Sequence, residues 1–162
     1  MTLSTLTFVH VLLSLIGIGS GFVVLVGLLS GKKLNGWTSL FLVTTVATSA
    51  TGFAFPFEHL LPSHKLAIIS LVVLGVAIVA RYVYQLAGAW RWIYVVTAML
   101  ALYLNVFVGI VQAFEKVPAL KALAPTQSEK PFVVTQLAVL VIFLVLCVIA
   151  ARKFRVPPLR TA

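Results

Sequence analysis

The chain has 162 residues, of which 62% are hydrophobic and 9% charged, and its mean hydropathy is +1.16. This composition lies far outside the range of soluble domains, so the lipid bilayer is the first partner that we expect. The net charge of +9 does not indicate a nucleic-acid partner here. Its basic residues flank apolar segments, where they serve as orientation signals and as contacts to anionic lipids.

Five apolar segments follow one another along the chain. A bilayer core about 30 Å thick needs roughly 20 apolar residues in a helix, because lipid cannot hydrogen-bond to an exposed backbone. The segments are residues 3–30, 37–57, 66–86, 93–114 and 132–151. The sequence therefore predicts an all-α integral membrane protein. We expect residues 1–162 to form one five-helix transmembrane bundle, without a separate soluble domain.

The basic residues divide unevenly between the two sides that alternating crossings create. One side receives eight of them: Lys32, Lys33, Arg81, Arg91, Arg152, Lys153, Arg155 and Arg160. The other side receives four lysines and all the acidic residues: Lys65, Lys116, Lys121, Lys130, Glu58, Glu115 and Glu129. The positive-inside rule then predicts that the N-terminus lies outside and the C-terminus in the cytoplasm. The whole pattern is typical of short multi-pass proteins of bacterial inner membranes.

The longest connection, residues 115–131, is amphiphilic. Its Val117, Leu120 and Leu123 are spaced to form a short helix on the outer surface, bounded by Pro118 and Pro125. A plain loop is an equally good interpretation. The sequence also leaves open whether this segment covers neighbouring residues as a lid.

Small and polar residues mark the helix faces that are expected to pack. His10, Ser14, Gly17 and Gly21 are separated by offsets that fall on one helix face, and small residues let membrane helices approach closely. In the second segment, four threonines line one region: Thr44, Thr45, Thr48 and Thr51. They are candidates for lining a pore in a homo-oligomer, but hydrogen bonding to carbonyls of their own helix is the simpler expectation.

A cluster of polar side chains is predicted at the outer face, where the segments begin or end. It comprises His10, Glu58, His59, His64, Gln112, Glu115 and Gln136. An ionisable residue inside a membrane is costly and therefore indicates a functional site by default. Interhelical hydrogen bonding without any ligand is the competing interpretation.

One chemistry that suits this cluster is a metal ion. Neutral imidazoles and carboxylates bind zinc, copper(II) or iron(II), and the candidate ligands are His59 and His64 with Glu58 and Glu115. The spacing from Glu58 to His64 allows the chain to fold back and present both imidazoles, although it matches no named metal motif.

A second chemistry is haem b, which needs two histidines at matched depth, and a third is a quinone held by imidazole and amide donors. The side chains available to such cofactors are His10, His59, His64, Gln112 and Gln136. Aromatic walls for a quinone are offered by Phe53, Phe55 and Phe57.

Signatures of common enzymes are missing from the sequence. The chain has no aspartate, which excludes an aspartyl protease and a Ser-His-Asp triad, and the lone Cys147 excludes an internal disulfide. Two function hypotheses follow. The first is an accessory or structural subunit that docks a membrane-protein partner or a second copy of the chain. The alternative is a cofactor-binding protein for electron transfer, metal handling or sensing.

Overall fold

A computed structural model describes residues 2–55 and 62–155 of the chain, and all regular structure within them is helical. The long helices are α1 (Leu3–Leu29), α2 (Asn35–Gly52), α3 (Pro62–Ile78), α4 (Trp90–Lys116) and α6 (Lys130–Lys153). A short helix, α5 (Pro118–Leu123), lies between α4 and α6. Helix α3 continues into a π-helical turn, Val79–Val83, called the π segment below.

Four of these helices are long and apolar enough to cross a bilayer: Leu3–Leu29, Ser63–Val83, Trp90–Lys116 and Lys130–Lys153. The all-helical class is thus confirmed, and the four helices are those of a small multi-pass membrane protein. Helix α2 is different, because seven of its 18 residues are serine or threonine. Its 18 residues are about 27 Å long at 1.5 Å per residue, so composition and not length sets it apart.

The bundle has two chemically distinct ends. At one end, which we call the basic end, the Arg81 Nη2 group donates a hydrogen bond to Asn35 Oδ1 at 2.7 Å, and Arg91 donates to the carbonyl of Phe154. At the other end, the histidine end, His10 contacts residues 51–55 and His64 lies against Phe53. Helix α2 therefore runs along the bundle from the basic end to the histidine end.

The core of the bundle forms where α1, α2 and α4 meet. Phe41 and Leu102 are almost completely buried there, and Gly21 of α1 packs directly against both. A Cβ atom at Gly21 would lie 2.5 Å from Leu102 Cδ1 and 3.0 Å from the Phe41 ring. Gly17, one turn away, similarly faces Thr45. The expectation that the glycines of this face allow close helix packing is confirmed.

Two helix boundaries differ from the apolar segments of the sequence. Helix α2 ends at Gly52, whereas the apolar segment extends to residue 57, because Phe53–Phe55 are apolar but form a turn and bend. The third segment was expected to end at residue 86, but the π segment ends at Val83. The turn that follows places Gln85 and Leu86 at positive φ values. Of the two interpretations of residues 115–131, the short helix is the one present, as α5.

Helix α6 is the least enclosed of the four apolar helices. Of its most apolar 18 residues, 11% are buried within the chain, compared with 39% in α1. It contacts α4 and α1 along one side only, and the rest of its circumference is apolar side chain.

Candidate functional site

His10 of α1 is held at the histidine end by the last turn of α2. Its Nδ1 atom lies 2.9 Å from the Thr51 hydroxyl, and its ring meets the Phe55 ring edge-on at a centroid distance of 5.3 Å. The Thr51 hydroxyl donates its proton to the Ala47 carbonyl at 2.8 Å. Nδ1 donates to this hydroxyl when the ring proton is on Nδ1 and accepts from it when the ring proton is on Nε2.

His64 lies near the start of α3 and is buried, with 3% of its surface exposed. Its ring packs against the Phe53 ring, with a distance of 5.5 Å between the ring centroids and an angle of 32° between the ring planes. The structure thus brings His10 and His64 to the same end of the bundle, as expected. They contact different rings, Phe55 and Phe53, in the turn that follows α2.

The two glutamines of the predicted cluster have separate partners. Gln112 donates a long hydrogen bond of 3.5 Å to Glu115 on the same helix, and both side chains are exposed. Gln136 is buried and donates to the Phe107 carbonyl of α4 at 3.3 Å, while its Oε1 atom has no partner among the described residues. The amide of Gln136 therefore joins α6 to α4.

Two residues of the predicted metal set, Glu58 and His59, lie outside the described residues. Within residues 2–55 and 62–155, no three His, Cys, Asp or Glu side chains gather in a group able to hold a metal ion. The metal set that combines these residues with His64 and Glu115 therefore stays a prediction.

The segment between α4 and α6 folds back onto the end of α4. Gln127 donates to the Val111 carbonyl at 3.1 Å, and Glu129 accepts hydrogen bonds from the backbone and hydroxyl of Thr126 and from the backbone of Ser128. Desolvation raises the pKa of the Glu129 carboxyl, but these hydrogen bonds outweigh it and hold the pKa below its usual value.

A surface cavity of about 320 Å³ lies beneath this segment. It is lined by Phe114, Glu115, Lys121, Pro125, Thr126 and Gln127. Glu115 thus borders a cavity, but neither described histidine belongs to its lining. The segment therefore covers the end of α4.

Polar groups deeper in the bundle are mostly paired with each other. Asn105 of α4 donates to the Thr45 hydroxyl at 3.0 Å, and Ser49 of α2 donates to Ser70 of α3 at 3.2 Å. Thr44 and Thr51 donate back to carbonyls of α2, as the sequence suggested. The Thr48 hydroxyl is buried and has no hydrogen-bond partner in the described part of the chain.

Arg81 is a buried polar residue that the sequence analysis counted only as an orientation charge. It is 7% exposed, it bonds to Asn35, and its guanidinium carbon lies 5.1 Å from the centre of the Tyr94 ring. The sequence signal for its burial is that Arg81 lies within the apolar segment 66–86 rather than beyond the end of that segment. Arg81 joins the starts of α2 and α4 to the end of α3 at the basic end.

No family model matches the chain, and no curated protein or solved structure is significantly similar to it. The function is therefore argued from the arrangement of the side chains.

Proposed function

We propose that the chain is an accessory or structural subunit of a larger membrane complex rather than an enzyme. The observation that carries this proposal is that polar groups within the helices form hydrogen bonds to neighbouring helices of the same chain. Four helix pairs are joined by such groups: His10 with Thr51, Asn105 with Thr45, Ser49 with Ser70, and Gln136 with the Phe107 carbonyl. Hydrogen bonds of this kind stabilise packing between membrane helices.

Helix α6 supplies the surface on which we place the partner. Five of its nine exposed large apolar residues are spaced three or four positions apart and therefore lie on one helix face. They are Val134, Leu137, Val141, Leu144 and Val148. The partner is a transmembrane helix of another subunit or of a second copy of the chain.

We further propose that the chain crosses a bacterial inner membrane five times, with its N-terminus outside and its C-terminus in the cytoplasm. Support comes from α2, which connects the end of α1 at the basic end to the start of α3 at the histidine end. If α1 and α3 both cross the bilayer, α2 must cross it as well. The basic end then faces the cytoplasm, in agreement with the positive-inside rule.

Cysteine labelling in intact cells tests this topology directly. In a Cys147→Ser background, Ala54→Cys is expected to react with a membrane-impermeant maleimide from outside, and Ser30→Cys only after lysis. Both positions lie in described turns at opposite ends of α2. Labelling of both cysteines from the same side would show that α2 does not cross.

Photo-crosslinking tests the subunit proposal. A photoreactive amino acid at Val141, which is 58% exposed, is expected to form an adduct with a discrete partner chain in native membranes. The same group at Phe143, which is 6% exposed, serves as the matched control on the packed side of α6 and is expected to react within the chain. Lipid adducts alone at Val141, together with a single-chain mass in native gels, would contradict the proposal.

One observation favours the second candidate function, which is cofactor binding at the histidine end. A histidine that ligates a metal typically donates its other ring N–H to a neighbouring group, and the Thr51 hydroxyl, 2.9 Å from His10 Nδ1, is placed to accept such a bond in the Nδ1–H tautomer. Its Nε2 lone pair is then available as a ligand. The test is an absorption spectrum with metal analysis of the purified protein, before and after dithionite. A Soret band or a stoichiometric metal that is lost in His10→Ala would favour this candidate over the first.

A further inference from the structure

An open groove lies between α2 and the end of α3, on the outer surface of the bundle. It has a volume of about 540 Å³, and its floor and walls are almost entirely apolar, with Val43, Val46 and Ile78 among them. At one end it is bordered by Ser39 and Tyr82, whose hydroxyls are hydrogen-bonded at 3.0 Å. On α2 the lining extends from Ser39 to Ala47, which corresponds to about 12 Å along the helix axis.

The polar end of the groove opens toward the basic end of the bundle. Ser39 lies one turn after the start of α2, and the exposed Lys32 and Lys33 immediately precede that helix. The described glutamates, Glu115 and Glu129, are both at the histidine end. In the described part of the chain, the positive charge of Lys32 and Lys33 before α2 therefore has no carboxylate at its own end of the bundle to compensate it.

We propose that this groove binds one acyl chain of an anionic phospholipid, with the lipid phosphate beside Lys32 and Lys33. The occupant matches the groove in both of its parts: an apolar chain fits the apolar length, and a negative headgroup fits the uncompensated lysines. The Ser39 and Tyr82 hydroxyls lie between these two regions, at the level of the ester groups. This inference is independent of the subunit proposal, because the groove is on α2 and α3 and the proposed docking face is on α6.

Native mass spectrometry of the full chain in detergent measures the binding. The probes are phosphatidylglycerol, phosphatidylcholine with the same acyl chains, and inorganic phosphate. We expect retention of one phosphatidylglycerol, preferred over phosphatidylcholine. The double variant Lys32→Gln/Lys33→Gln is expected to bind it roughly 30-fold more weakly, because each lysine contributes about 1 kcal/mol of attraction to an anionic lipid. The pair Lys116→Gln/Lys121→Gln at the opposite end removes the same charge and is expected to leave binding unchanged.

A second pair of variants tests the groove itself. Val43→Trp fills the groove and is expected to abolish retention of the lipid, whereas Val141→Trp on α6 is expected to retain it. Both valines are more than half exposed, at 66% and 58%, so neither change disturbs the core. A photoreactive residue at position 43 in phosphatidylglycerol vesicles is expected to yield an adduct with the mass of one lipid.

Several outcomes would overturn the proposal. Equal binding of phosphatidylglycerol and phosphatidylcholine would show that the headgroup does not contact the lysines. Equal loss of lipid binding in both tryptophan variants would indicate general lipid contact rather than a site. Displacement of the lipid by inorganic phosphate would show that the lysines bind a free anion rather than a lipid headgroup. An adduct at position 43 with a polypeptide in native membranes would assign the groove to a protein partner.

Discussion

The closest approach of α1 to the core is at Gly21, and an added methyl group at this position tests the packing directly. The Cβ atom of alanine would lie 2.5 Å from Leu102 Cδ1 and 3.0 Å from two atoms of the Phe41 ring. Both neighbours are almost completely buried, so neither can move into open space. Gly19, two residues earlier on the same helix, has no atom within 4 Å of such a Cβ. It is the matched control.

The expected magnitude follows from two opposing terms. Replacing a helical glycine by alanine stabilises a helix by roughly 0.5–1 kcal/mol, because glycine loses more backbone entropy on folding. Overpacking a core costs about 1–3 kcal/mol. The first term is common to Gly19→Ala and Gly21→Ala and cancels in their difference. The free energy of unfolding of Gly21→Ala should therefore be about 2 kcal/mol lower than that of Gly19→Ala, which is the middle of the overpacking range.

The assay is unfolding in mixed micelles by titration with sodium dodecyl sulfate, followed by the fluorescence of the three tryptophans. We expect the transition of Gly21→Ala at lower detergent fraction than the wild type, and that of Gly19→Ala at the same or a higher fraction. Coincident transitions for the two variants would refute the packing of α1 against Phe41 and Leu102.

Three further predictions concern hydrogen bonds. In a double-mutant cycle, Asn105→Leu and Thr45→Val should show a coupling energy of about 0.6 kcal/mol, the average for membrane helices, and additive losses would contradict the bond. His10→Ala and Thr51→Val should likewise be coupled by no more than about 1.7 kcal/mol; a greater loss, accompanied by a lost absorption band, would favour the cofactor hypothesis. The pKa of Glu129 is lowered, so its ionised carboxylate stabilises the turn before α6 at pH values above the ordinary carboxyl pKa of 4.5. This stabilisation is lost as the pH falls through the lowered pKa. Hydrogen exchange corrected for its intrinsic pH dependence should show the turn losing protection at that pH, and the same profile in Glu129→Gln would refute the assignment.

The sequence predicted those parts of the fold that depend on apolar length and on small residues. Four helices and the close contact at Gly21 follow from patterns that local physics determines, whereas the sequence left residues 115–131 open between the short helix α5 and a plain loop. The end of α2 does not, because Phe53 and Phe55 are as apolar as a helix interior although they form a turn. Hydropathy measures the transfer of side chains into lipid and does not measure backbone conformation.

The candidate site was less predictable, because it depends on which helix faces meet. The sequence placed His10 and His64 at one end and offered Phe53 and Phe55 as aromatic walls there, but it gave no indication that Thr51 would be the hydrogen-bond partner of His10. It also did not predict the burial of Arg81. A π turn adds a residue to one turn of the helix and so changes the direction of the side chains in it, and no periodic pattern of composition marks that change.

The burial of Phe154 imposes an order on biosynthesis. This residue is completely buried beside Tyr94, and its carbonyl accepts the hydrogen bond from Arg91. Since the chain is synthesised from its N-terminus, α1 to α4 reach the membrane before these contacts can form. A chain that stalls ahead of α6 has an arginine and a tyrosine without their native neighbours at the cytoplasmic surface that we propose for this end. Insertion of the last helix therefore completes the contacts of Arg91 and Tyr94 and closes this end of the bundle.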